Sequence, residues 1–233
     1  SIGSKYGAQH SQDWTALTAH IPGLKVLYPA TPYDAKGLMA SALSSEDPVV
    51  FFESQRLYDV PELFHTGGVP DEYYRLPLGV PDIKRAGEDL TILTVGPSLY
   101  AAIEAADVLE KTFSLSAEVI DARSLVPFDY EPVLRSVKKT GRIVLVSEAS
   151  ERGSFLMTLA ANITRVGFSD LKAPPRVIGS PNWIVPGAEM ETTYFPQVDD
   201  ILDVVTGELF PDRKTNRRGV RTWDDLDLAR RAL

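Results

Sequence analysis

"LTILTVGPSLYAAIEAADVLEKTFSLSAEVIDA", residues 90–122, decides the fold. Residues 90–95 form a β-branched run of strand length, and Gly96 and Pro97 end it. In 98–111, Ala102, Ala105, Ala106 and Leu109 share one stripe at helical spacing, and 116–122 returns to a strand. A strand, a covering helix and a second strand make a βαβ unit, whose two strands run parallel.

The same alternation continues outward. Residues 129–140 read as a helix with an acidic start and a basic end, which complements its dipole. Strands follow at 142–148 and 175–180, with a helix at 154–166 between them. A final helical stretch, 188–205, is interrupted at Pro196. On the other side, Pro61, Pro70, Pro77, Pro81, Gly67, Gly68 and Gly79 break any period, so 59–88 is predicted to be a linker ordered in part by Tyr73 and Tyr74. Ahead of it, "LKVLYPA" (24–30) reads as a strand. Residues 31–45 read as a helix with Thr31 as N-cap and Pro32 at its first position. "PVVFFES" (48–54) has the near-continuous apolar character of a strand buried on both faces. A short helix within 11–20 has Ser11 as its expected cap. The expected organisation is α/β throughout: a first unit at 1–58, the linker at 59–88, a second unit at 89–206, and a charged extension at 207–233. That extension is either solvated or an arm on a partner subunit.

Composition excludes several function classes. The 233 residues carry 24 Lys and Arg against 32 Asp and Glu, a formal charge of −8 that argues against nucleic-acid binding. There is no cysteine, which removes disulfides, thiolate metal sites and cysteine nucleophiles. No apolar run approaches the roughly 20 residues of a membrane helix, and no signal-peptide layout is present. The turn after 90–95 has one glycine where a dinucleotide fingerprint needs three, and P-loop and nucleophile-elbow motifs are missing. Asp199-Asp200 and Asp224-Asp225 read as solvated faces. The three histidines, His10, His20 and His65, are too scattered to read as a zinc site.

That leaves His10, in "YGAQHSQDW" (6–14), ahead of a predicted helix N-terminus. The positive end of a helix dipole favours a neutral imidazole, which can donate at one nitrogen and accept at the other. Gln9, Ser11 and Gln12 offer hydrogen bonds to fix its tautomer. The alternative is a loop histidine without a chemical role, and the residues alone leave both open. Chemistry on a small carboxylate or carbonyl here would need an organic cofactor as electron sink.

The blocks "QHSQ" (9–12), "HIPGLKV" (20–26), "TPYDAKGL" (31–38) and "DPVVFFE" (47–53) with Leu57-Tyr58 continue as "EVIDARSLVPFD" (118–129), "SVKKTGRIVLVSEA" (136–149) and "GFSDLKAPPRV" (167–177). Together they closely resemble the β-subunits of thiamine-diphosphate-dependent 2-oxo acid dehydrogenases of the pyruvate and branched-chain (2-oxoisovalerate) type. Residues 181–203 are more similar to versions in which α- and β-type segments are fused. The resemblance implies the C-terminal part of a pyrimidine-binding domain followed by a transketolase C-terminal-like α/β domain.

It also implies thiamine diphosphate with magnesium, bound jointly with an α-type diphosphate-binding subunit or segment. No cofactor-binding residue is assigned within this chain. His10 matches the family's site histidine and takes the catalytic role of positioning substrate and moving a proton. Some members hold potassium on main-chain carbonyls, matched here by Ala42, Ser45 and Asp47; a plain helix C-terminus is the alternative. The implied partners are the α-type subunit, a lipoyl acyltransferase and a second copy as homodimer, with no nucleic acid and no membrane. The implied setting is the cytoplasm of a bacterium, with the mitochondrial matrix as the alternative. Because only seven residues precede "AQHSQ", the chain is expected to open partway into the pyrimidine-binding domain. It is therefore expected to be inactive alone as an oxidoreductase component. Two other functions stay open: a transketolase or deoxyxylulose-phosphate synthase, or a non-catalytic module docking the acyltransferase.

Overall fold

The computed structural model describes residues 5–213. Its first helix, α1 (Thr15–Ala19), starts four residues beyond the predicted cap. The Asp13 carboxylate accepts the Thr15 N–H at 2.8 Å, while Ser11 is buried. A carboxylate two residues nearer the helix caps it better than the serine, so Ser11 turns inward. Strand β1 (Lys25–Leu27) leads into α2 (Pro32–Leu43), where Thr31 Oγ1 accepts the Asp34 N–H at 3.1 Å as expected of its cap. Strand β2 (Val49–Phe51) pairs parallel with β1. It is an edge strand and only half-buried, not buried on both faces as its apolar run implied.

The predicted linker is ordered by aromatic stacking. The Tyr33 ring lies between Tyr74 at 4.8 Å and His65 at 3.9 Å, and Tyr74 donates to the Tyr33 carbonyl at 2.7 Å. From residue 82 the segment is not a linker, because β3 (Asp82–Arg85) forms an antiparallel edge strand. Its sheet is completed by β4 (Leu90–Thr94) and β5 (Ala117–Asp121), joined by α3 (Ser98–Phe113). After β5 the backbone takes a positive φ of 41° at Arg123, and β6 (Ser124–Val126) leaves for the other sheet. There it pairs antiparallel with β1, Val26 opposite Val126, making the order β2-β1-β6.

The chain returns through α4 (Glu131–Thr140), β7 (Ile143–Ser150), α5 (Phe155–Gly167) and β8 (Arg176–Ser180). The large sheet has the order β3-β5-β4-β7-β8, all parallel except β3. Every residue of β4 and β5 is buried. Leu90 and Ile92 pack on the predicted α3 stripe, and Leu93 and Ile120 pack on the side of α4 and α5. The last helical stretch breaks at Phe195-Pro196 into α6 (Glu191–Tyr194) and α7 (Val198–Val204). Beyond it, Val205 and Leu209 are buried, so the start of the predicted extension is packed. The rest, with Asp224-Asp225, lies outside the described residues. No helix among the described residues is long and apolar enough to cross a membrane.

Candidate functional site

Open α/β sheets usually bind ligands outside the carboxyl ends of their strands, where the strand order reverses. In the large sheet that point lies between β4 and β7. It is filled: a Cβ on Gly96, which has φ +60°, would lie 2.8 Å from the Tyr28 ring. The usable cavity is instead at the edge of the small sheet. An open cleft of about 490 Å³ is lined by Tyr6, His10, Phe51, Glu53, Gln55 and Tyr58.

His10 ends a short 3-10 turn (Ala8–His10) and is exposed to the cleft, with the Tyr6 ring edge-on at 6.2 Å. Phe51 ends β2, and a second 3-10 turn (Gln55–Leu57) presents Gln55 and Tyr58. Tyr58 donates to Glu53 at 3.1 Å, and that bond holds its hydroxyl above the ordinary phenol value, a donor at neutral pH. The cleft partners of His10 thus come from 51–58 rather than from Ser11. The signal was the block "DPVVFFE" with Leu57-Tyr58, to which the sequence assigned no role. His65 is spent on the Tyr33 stack, and His20 is the C-cap of α1. Among the described residues, no group of three or more His, Cys, Asp or Glu could hold a metal ion.

Ala42, Ser45 and Asp47 lie together in the turn after α2. Ser45 N–H donates to the Ala42 carbonyl at 3.0 Å, and Ser45 Oγ donates to the Asp47 carbonyl at 3.1 Å. The Lys25 ammonium lies in the same turn, 2.8 Å from Ser45 Oγ and 3.0 Å from an Asp47 carboxylate oxygen. Carbonyl oxygens are the donors a hard cation takes, but here the Ala42 and Asp47 carbonyls accept hydrogen bonds and the Lys25 ammonium already supplies a positive charge.

Two charge clusters tie segments of the two sheets together, one buried around Asp34 and one half-exposed at Arg56. Asp34, fully buried, meets Arg123 at 2.6 Å and Lys84 at 2.5 Å, and Lys84 also meets Asp82 at 2.6 Å. Burial opposes ionisation of Asp34, but the two cations outweigh it and hold the carboxyl below its ordinary range. Asp121 is raised to about 8, by burial first and then by the Asp34 charge. The second cluster pairs Glu148 at the end of β7 with Arg56 on the Gln55–Leu57 turn.

The cleft's walls are aromatic, and among the described residues its lining holds no lysine or arginine. It therefore fits a flat heterocycle and does not fit a diphosphate, which needs cations or a helix N-terminus. Comparison with known proteins identifies the domains. Residues 1–61 match the transketolase pyrimidine-binding domain, and residues 79–201 match the transketolase C-terminal domain. The chain is 41 % identical to the acetoin:2,6-dichlorophenolindophenol oxidoreductase subunit beta of Bacillus subtilis, over 87 % of its own length and 58 % of the relative's. It is 40 % identical to the 2-oxoisovalerate dehydrogenase subunit beta of the same organism, covering 89 % and 62 %. With that organism's pyruvate dehydrogenase E1 component subunit beta it shares 39 %, covering 83 % and 58 %. The chain thus spans about three fifths of these curated relatives. Among solved structures, a split-gene transketolase described as an inactive β4 tetramer aligns with a TM-score of 0.71 and 28 % identity, over 87 % of this chain and 63 % of that one.

Proposed function

The chain belongs to the transketolase C-terminal domain family; from that premise we propose that it is the β-type part of a thiamine-dependent 2-oxo acid dehydrogenase, supplying one wall of an active site for oxidative decarboxylation of a 2-oxo acid and reductive acylation of a lipoyl group. The observation that carries this reading is the His10 cleft, which fits the ring end of thiamine diphosphate and lacks what the diphosphate end requires. An α-type partner completes the site, holding diphosphate and magnesium. When bound, thiamine diphosphate supplies the electron sink that loss of carbon dioxide requires.

The chain's own residues do the rest. Tyr6, Phe51 and Tyr58 provide flat apolar walls, and Gln55 and the Glu53–Tyr58 pair provide hydrogen bonds at the ring's edge. The His10 imidazole holds the substrate carboxylate and moves a proton to the lipoyl sulfur, since one ring nitrogen donates while the other accepts. The bacterial relatives support a place in a bacterial cytoplasm, and the relatives' subunit names support assembly with an α-type chain. Docking of an acyltransferase and pairing of two β-type copies belong to the same reading.

The test is turnover of pyruvate, 2-oxoisovalerate, acetoin and a ketose phosphate, by the chain alone and with its α-type partner. The expected result is no turnover alone and thiamine-dependent turnover of a 2-oxo acid in the complex. Preference for the ketose phosphate would instead support a transketolase, the reading favoured by the solved neighbour. The lack of basic residues among the described residues of the cleft lining weighs against that substrate.

We extend the proposal to potassium at the Ala42, Ser45 and Asp47 carbonyls. An ion at ten times its Kd adds about 1.4 kcal/mol, about 3 to 6 °C in thermal midpoint. Potassium chloride should raise the midpoint by that amount over choline chloride at equal ionic strength. Equal midpoints would leave Lys25 as the turn's cation.

A further inference from the structure

Glu148 is a buried carboxylate, paired with a residue of the cleft-bearing turn, that the proposed chemistry does not use. Its side chain is 5 % exposed, one oxygen meets the Arg56 guanidinium, and Oε2 is buried with no hydrogen-bond partner. The titratable and charged groups facing it are Arg56, Asp13 ahead of α1, Glu191 of α6 and Tyr28 after β1. Three of these adjoin cleft elements. Arg56 directly follows Gln55, Asp13 lies three residues after His10, and Glu191 accepts the Lys5 N–H at 3.1 Å, one residue before Tyr6. Of these groups Arg56 is the one in direct contact with Glu148, so through it the large sheet reaches the turn that presents Gln55 and Tyr58.

We propose that Glu148 is a positioning residue for the His10 cleft, fixing through Arg56 the turn that presents Gln55 and Tyr58. The role deepens the reading of that cleft as the active site and rests on it. Burial pushes the Glu148 carboxyl up, Arg56 opposes this, Asp13 adds to the rise, and the group titrates at about 7. Below that pH Arg56 faces a neutral acid, and above it a carboxylate, whose charge-assisted bond is roughly twice as strong. The turn is thus held more tightly as pH rises. Global stability moves the other way. A carboxyl raised in the folded state contributes stability at low pH that is lost as pH rises through its folded value. A merely structural Glu148 would move both in the same direction.

Hydrogen exchange separates the two. The Leu57 amide donates to the Ser54 carbonyl at 3.0 Å and the Tyr58 amide to the Gln55 carbonyl at 3.2 Å, so both report the turn. In the full chain, corrected for intrinsic rates, their protection should rise about fivefold from pH 6 to 8. In Glu148→Gln and Arg56→Gln it should be lower and flat, while amides of 90–94 and 117–121 stay protected. Wild-type protection that does not change with pH, a variant that keeps the rise, or protection lost throughout the large sheet would each overturn the proposal. Failure of the active-site reading looks different. The pH-dependent protection would persist while His10→Ala left turnover by the assembled complex untouched.

Discussion

On the proposed function, replacing His10 by alanine is expected to slow lipoyl acylation by the assembled complex about 10²- to 10⁴-fold, the range for loss of a positioned proton-transfer group. Folding stability should stay within about 0.5 kcal/mol, as for other exposed positions. His10 is exposed at the end of a short 3-10 turn, with the Tyr6 ring edge-on to it. An exposed side chain adds little to the core, so activity and stability should part company. His10→Asn sharpens the result, because it keeps a hydrogen-bond donor and acceptor but cannot move a proton near neutrality. Two assays divide the step. With 2,6-dichlorophenolindophenol as electron acceptor, decarboxylation proceeds without the lipoyl group, and the asparagine variant should retain much of it. With a lipoyl domain as acceptor, both variants should fail alike. Wild-type rates for His10→Ala in the lipoyl assay would refute the assignment.

The second large effect is on folding. Asp34→Ala should destabilise the chain by about 3 to 5 kcal/mol, the cost of breaking a buried ion pair by removing one partner. Lys84, with its side chain 4 % exposed, and Arg123, at 7 %, would then lack their fully buried anion. The low end is expected. Asp121, titrating at about 8 partly because of the Asp34 charge, would ionise more readily once that charge is gone and face the same two cations. About 3 kcal/mol corresponds to a midpoint lowered by about 6 to 12 °C. The pH dependence follows from the direction of the Asp34 shift. A carboxyl held below its ordinary range contributes stability above the unfolded value near 4, lost as pH falls through the folded one. The gap between wild type and Asp34→Asn should therefore narrow below about pH 4. Urea unfolding at pH 7 and pH 3.5 measures it, and a gap of constant size would show that Asp34 contributes volume rather than charge.

Periodicity was enough to read the alternation from 90 to 180, because each strand and helix there carries its own apolar pattern. The α3 stripe and the Thr31 cap follow from local chemistry and appear as expected. What escaped was whatever depends on a distant partner. β3, with the sequence "DIKR", is charged and sits among prolines and glycines. It becomes a strand because β5 offers it an edge. The burial of β2 was overestimated, since an apolar run does not say whether a second strand lies beside it. In the candidate cleft, His10 was singled out from the sequence, but Glu53, Gln55 and Tyr58 were not. They gain meaning only when β2 and its following turn are laid beside the Ala8–His10 turn. Asp34, Lys84 and Arg123 look like ordinary surface charges in sequence, and their 50- and 89-residue separations hide the network.

The departure of β6 into the small sheet has a consequence for the order of assembly. Val26 waits for Val126, so the small sheet cannot close until the ribosome has passed through the first half of the larger one. Long-range pairing of this kind is paid in loop-closure entropy before contacts return it, and it slows folding. The wall bearing His10 is therefore finished late, on a template that the larger sheet provides. A nascent chain stalled before residue 124 would carry the histidine but not the surface that supports it.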